Sequence, residues 1–236
     1  MFRQLRKTVV TLCCLFSIWG TLAWNAECSA ATIIGPQVAL STLLDAGTVT
    51  AGDKVFTNFG YTFTNDMPGA IGVSVVPIRD DLGNYGIRFV GSFHDLGSSA
   101  GGSAAVITYK LTAGPERLIS DAHLAGDPDL TGTTGFIKVT ETFLPLGQFD
   151  QFTMRIYDDE GQVPAKLMDS TIFTTPIQSL DVQKGISASV PAGGGSATMM
   201  FVDQTFSQVP EPVAGLLMLC GIASLGFVRK RRLLER

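Results

Sequence analysis

Cysteine is missing from most of this chain. Of its four cysteines, Cys13, Cys14 and Cys28 lie before Thr32 and Cys220 lies near the end, so the stretch Thr32–Gln208 has none. That stretch can hold no disulfide, no thiolate zinc site and no cysteine nucleophile. Both tryptophans, Trp19 and Trp24, also lie outside it. Imidazole is scarce, with His94 and His123 the only two histidines. Positive charge is scarce as well: nine Lys and Arg face eighteen Asp and Glu between Thr32 and Gln208, a balance of −9 against −4 for the whole chain. Phosphate binding needs a basic patch, so nucleic acid is excluded as a partner. Long amphipathic helices are lacking too, and Val38–Ala46 is the only short helical candidate.

What is present begins with two unusual ends. Met1–Lys7 carries Arg3, Arg6 and Lys7, and the apolar stretch Thr8–Trp24 follows before the small residues of NAECSAAT. A basic, an apolar and a small-residue segment in that order make a secretory signal, read by signal peptidase. Residues 1–30 are therefore expected to be removed, with the mature chain beginning at Ala31 or Thr32. At the other end, Val209-Pro210-Glu211-Pro212 precedes an uncharged run, Val213–Val228, and then Arg229, Lys230, Arg231 and Arg232.

The middle alternates with period two. Phe59, Tyr61 and Phe63 share one face, as do Ile87, Phe89 and Phe93; then Ala105, Ile107, Tyr109 and Leu111; Ile137, Val139 and Phe143; and Phe152, Met154 and Ile156. Such alternation is the mark of half-buried antiparallel strands. Further strands are expected at Ile71–Ile78, Arg117–Leu124, Ile177–Val182, Ile186–Val190 and Ala197–Thr205. Turn clusters separate them: NDMPG, RDDLGNYG, GSSAGGS, AGDPDLTGTTG, DDEGQ and PAGGGS. Many short strands joined by Gly, Asp and Pro turns predict an all-β chain, a single antiparallel β-sandwich or jelly-roll-like domain over residues 32–208.

Candidates for chemistry are few. Gly97-Ser98-Ser99-Ala100-Gly101 matches the nucleophile-elbow pattern, but that motif works on a strand-to-helix turn and here sits in a loop between strands. His94 adjoins Asp95 and His123 follows Asp121 by two, so each has a carboxylate near it for acid–base work. Asp127 and Asp129, with Gly132 closing the loop, are a candidate calcium site, as are Asp80/Asp81 and Asp158/Asp159/Glu160. Calcium takes clustered carboxylates on flexible loops, though ordinary turns use the same residues. Sugar binding would use exposed aromatic rings, and Tyr85 and Tyr157 are the two rings expected off the core face. No resident cofactor or metal is expected, and no catalytic residue is assigned.

The tail says more. Its order of Pro-Glu-Pro motif (Val209, Pro210, Glu211, Pro212), apolar run and basic cluster, paired with an N-terminal signal, resembles the PEP-CTERM sorting signal. The resemblance covers residues 209–236. It implies recognition by an exosortase, an integral membrane cysteine transpeptidase, which cuts near the motif and passes the protein toward the surface of exopolysaccharide-making Gram-negative bacteria. The middle is also similar to β-rich ectodomains of such proteins in DKVFTNFGYTF and GSFHDLGSSAGGSAAVITY. Physically, sixteen residues at 1.5 Å rise make about 24 Å of helix, short of a hydrocarbon core of roughly 30 Å. Flanking arginines can snorkel to make up the difference, and the basic cluster keeps its end cytoplasmic. The expectation is an exported, non-enzymatic surface or matrix protein with one C-terminal transmembrane helix, held at the inner membrane before sorting. The alternatives are a carbohydrate- or calcium-binding module of the same matrix, in contact with exopolysaccharide, and a plain C-terminally anchored membrane protein.

Overall fold

The computed structural model describes residues 31–98, 101–132, 134–144, 153–160 and 162–210. The signal segment, Ser99, Ala100, Phe152, and the tail from Glu211 through the apolar run and Arg229–Arg232 lie outside the described residues.

In chain order, β1 (Thr32–Ile33) and β2 (Val38–Ala39) lead into one helical turn, α1 (Leu40–Leu43). Next come β3 (Val49–Ala51), β4 (Lys54–Thr64), β5 (Ser74–Arg79), β6 (Tyr85–Leu96), β7 (Ser103–Ala113) and β8 (Arg117–Gly126). The short β9 (Asp129–Thr131) precedes β10 (Phe136–Leu144), β11 (Thr153–Asp159), β12 (Gln162–Lys166) and β13 (Met168–Ile177). Then follow β14 (Ser179–Ser189) and β15 (Ser196–Pro210). One antiparallel sheet runs β1-β5-β6-β15-β8-β13, with β2 beside β5 and β9 beside β15; the other runs β12-β11-β10-β14-β7-β4-β3.

The sheets face each other as a β-sandwich, because each strand's apolar face has to be buried against another layer. Aromatic contacts cross the gap at three places. Phe56 meets Phe206 at 6.4 Å and Tyr109 meets Phe89 at 5.8 Å between ring centroids. Phe143 meets Phe173 edge-on at 5.2 Å. Burying each such ring contributes roughly 1.5–3 kcal/mol, so the domain is stable through this core. The last strand, β15, lies in the middle of its sheet between β6 and β8 and runs as far as Pro210, which pairs with Arg117.

The structure corrects several expectations from the sequence. Val38–Ala46 is not one helix: Val38 and Ala39 pair with β5, and only Leu40–Leu43 is helical. The strand expected from Ile71 starts at Ser74 instead, and Ile71 stands 84% exposed on a turn of 3-10 helix, Ala70–Gly72. The segments Ile177–Val182 and Ile186–Val190 are not two strands. Ile177 ends β13, and β14 runs unbroken from Ser179 to Ser189. Strands β12 and β13 were not expected at all, since Pro164 and Pro176 interrupt their pattern. They are the edge strands of the two sheets, where proline is tolerated. In β4, Phe56 and Phe59 are both buried although three residues apart. A bulge between Thr57 and Gly60, with Asn58 at φ 53°, resets the alternation.

Candidate functional site

The two histidines do not form one site. His94 lies opposite Thr198 and His123 opposite Thr205 on the two flanks of β15, seven residues apart along that strand. At about 3.3 Å per residue they are separated by roughly 23 Å. Neighbouring residues of a strand point to opposite faces, so His94 and Asp95 part company. His94 Nδ1 hydrogen-bonds locally to Ser92, at 2.8 Å from the carbonyl and 3.2 Å from the hydroxyl. Asp95 turns into the core, fully buried, where its carboxylate accepts from Ser103 Oγ at 2.6 Å and Val190 N at 2.8 Å.

His123 and Asp121 share a face, and Nε2 lies 2.9 Å from Asp121 Oδ1 and 3.3 Å from Ser207 Oγ. The hydrogen bond to Asp121 raises the imidazole above its usual pKa against the downward pull of burial. Burial pushes the Asp121 carboxyl up, but hydrogen bonds from His123 and Ser207 outweigh it and hold the group low. A serine–histidine–acid relay uses both ring nitrogens, one toward each partner. Here one nitrogen serves both, so this cluster binds its members together and does not relay a proton.

The acidic turns are occupied by their own backbone. Asp127 Oδ1 accepts from Met200 N at 3.0 Å and Phe201 N at 2.9 Å, at the point where β15 slips register against β6. Asp129 Oδ2 accepts from Thr131 Oγ1, and Asp158 Oδ2 from Leu130 N. Asp80 takes Asn84 N and Nδ2 and also Thr205 Oγ1. Among the described residues no three His, Cys, Asp or Glu side chains gather as metal ligands. On the outer face of the same sheet, Arg88 grips Asp203 with two bonds of 2.6 and 2.7 Å and lies 4.2 Å above the Phe201 ring.

Of the aromatic rings expected off the core, Tyr85 is enclosed. Lys54 and Arg79 sit at 5.6 and 5.7 Å from its centroid, and Gly52 (φ 58°) lies so close beneath it that a Cβ would overlap the ring. Tyr157 pairs with Lys138 and is half-buried. The open ring is instead Phe63. It shares the core side of β4 with Tyr61, opposite Ala105, as the alternation predicts, yet it is 49% exposed. Phe63 stacks on Tyr61 at 5.7 Å with planes 21° apart, and Tyr61 is fixed from behind by a 2.6 Å bond from its hydroxyl to Pro68 O. Burial pushes the Tyr61 phenol up to about 12, so it stays neutral and donates.

One constellation includes none of the residues singled out by the sequence. Lys184, Glu141 and Gln204 are all fully buried between the sheets. Glu141 and Lys184 are direct cross-strand partners of β10 and β14, and Gln204 comes from β15 opposite. Lys184 Nζ donates to Glu141 Oε2 and to Gln204 Oε1. The signal was in the pattern: Glu141 occupies the inward phase between Val139 and Phe143, and Lys184 that between Val182 and Ile186.

No family model matches the sequence, and no curated protein matches it. Among solved structures, TmCBM61 in complex with β-1,4-galactotriose aligns at 9% identity and a TM-score of 0.28, over 62% of this chain and 88% of that one. The enzymatically active domain of bacteriophage CBA120 tailspike protein 4 aligns at 12% identity and 0.30, over 64% of this chain and 19% of that one. A xylanase 10C from Cellvibrio japonicus in complex with xylopentaose aligns at 13% and 0.29, over 63% and 27%. This chain thus spans about a fifth to a quarter of the latter two, and TM-scores this low carry no functional argument for any of the three.

Proposed function

We propose that the chain is an exported, non-enzymatic surface protein whose β-sandwich binds polysaccharide. The observation that carries the reading is Phe63: a half-exposed ring near the end of β4, backed by Tyr61. Exposed aliphatic side chains are common on this surface, but Phe63 differs from them in being an aromatic ring stacked on a second, hydrogen-bonded ring. A flat ring presents its face to the C–H groups of a sugar, and Tyr61 holds it without conformational cost. The signal-like start and the Pro-Glu-Pro tail support export and sorting toward a polysaccharide-rich surface.

The binding test is affinity electrophoresis or calorimetry against a panel of soluble polysaccharides. Phe63→Ala should weaken binding at least about tenfold, equal to about 1.4 kcal/mol, with the melting temperature little changed. Unchanged affinity in the variant, or no binding by the wild type to any member of the panel, would remove this reading of the domain. Sorting is tested separately by replacing Pro210, Glu211 and Pro212 with alanine in a host carrying an exosortase. A sorted substrate accumulates as the longer membrane form only when substituted. Equal processing of both forms leaves a plain anchor, because apolar length and flanking charge are untouched.

A further inference from the structure

A lysine at full burial calls for a reason, because removing its charge from water is costly unless the group is paired or neutral. Lys184 has a pair in Glu141, yet the cluster is not closed. Among the described residues, neither Glu141 Oε1 nor Gln204 Nε2, both buried, has a hydrogen-bond partner. A stable polar network in a core is normally satisfied throughout. The surroundings are dry: Lys184 is flanked by Val182 and Ile186 along its strand and by Ile107 across it, and Gln204 lies between Ile87 and Leu124.

We propose that Lys184 and Gln204 react with each other to form an intramolecular amide that joins β14 to β15 across the sandwich, with Glu141 as the proton carrier. Lys184 points from one sheet and Gln204 from the other. Facing sheets pack roughly 10 Å apart, a gap that an extended lysine and a glutamine span together end to end. Lys184 Nζ already contacts both the amide oxygen of Gln204 and the carboxyl group of Glu141. Burial lowers the lysine well below its usual pKa, only partly opposed by the charge of Asp203, and so favours the neutral, nucleophilic amine.

The step balances without any co-reactant. The Nζ lone pair attacks Cδ of Gln204, and the C=O electrons move to Oε1 to give a tetrahedral centre. Glu141 takes a proton from the attacking nitrogen and hands it to Nε2. The Cδ–Nε2 bond breaks, ammonia leaves, and Lys184 Nζ is amide-bonded to Cδ. One amide replaces another, and the escape of ammonia from the core drives the exchange forward. Neither group is held by another hydrogen bond: the Gln204 nitrogen is the leaving group, and the second Glu141 oxygen is free to turn toward it with the proton. Joining Lys184 to Glu141 instead would expel water and leave the orphaned Gln204 amide unexplained. The product clamps β15, the strand that continues into the tail, to the opposite sheet.

The test is mass spectrometry of the full-length chain, denatured and digested. Trypsin should fail to cut after Lys184, and chymotrypsin should release a branched peptide containing Lys184 and Gln204, lighter than the sum of its parts by one ammonia. A free Lys184 in the folded wild type overturns the proposal, as does a branch to Glu141 lighter by one water. Glu141→Gln keeps both reacting groups and removes the proton carrier. In that variant, shown to be folded by circular dichroism, the branched peptide should fall at least tenfold. Formation at the wild-type level would overturn the role of Glu141.

Discussion

Replacing Asp95 tests whether this residue is structural or a partner for His94. Its carboxylate sits at the end of β6, fully buried, and ties that strand to Ser103 at the start of β7 and to the amide of Val190 just past β14. Asp95→Ala removes two hydrogen bonds to a charged group, worth about 1.5–3 kcal/mol each, and leaves a buried backbone N–H unpaired. Part of that is returned because a buried charge disappears, so the expected loss is about 3–5 kcal/mol. For a domain of this size 1 kcal/mol moves the melting temperature by about 2–4 °C, which makes the drop roughly 6–20 °C. Asp95→Asn should lose far less, about 1 kcal/mol. Its oxygen can still accept from Val190 N, and its amide can donate to the Ser103 hydroxyl. His94→Ala should fall within about 0.5 kcal/mol of the wild type, since among the described residues that ring's hydrogen bonds go to Ser92 beside it on the strand. Urea unfolding of the three variants measures all of this. A loss below about 1 kcal/mol for Asp95→Ala, or equal losses for Asp95→Ala and His94→Ala, would refute the argument.

The remaining expectations concern the outer face and the acidic turns. Because His123 is raised by Asp121, its contribution to stability is complete below the unfolded-state pKa near 6.5 and is lost as pH climbs through the higher folded value. The stability difference between wild type and His123→Gln should therefore be larger at about pH 5.5 than at about pH 8.5 in parallel urea titrations, and a difference that grows with pH would contradict the pair. Asp127→Ala should cost about 2–3 kcal/mol by freeing the amides of Met200 and Phe201. Millimolar calcium should leave the wild-type melting temperature unmoved, and a calcium-dependent rise lost in Asp127→Ala would instead make the loop a metal site.

Much of the fold was legible because a strand writes its burial at every second residue. Ile87, Phe89 and Phe93, or Ala105 through Leu111, are buried as the alternation requires. Glu141 and Lys184 also stand in inward phase, but a charge at such a position breaks the apolar pattern, and the expected gap between Val182 and Ile186 falls at the lysine. Edge strands β12 and β13 escaped because half-exposed edges need no apolar face and tolerate proline. Phe63 stands on the core side as the alternation predicts, but its exposure depends on what the rest of the fold packs against it, which no local pattern records.

The sequence by itself determined that the middle of the chain is all-β, that it folds without cysteine and that its charge is acidic, because periodicity and composition are properties of residues taken in order. Only the tertiary structure decided which residues meet. It set β15 between β6 and β8, separated the two histidines along that strand, and aimed Gln204 across the core at a lysine and a glutamate from the other sheet. Such meetings arise from strand order and register, and these follow from packing two faces together over the whole domain.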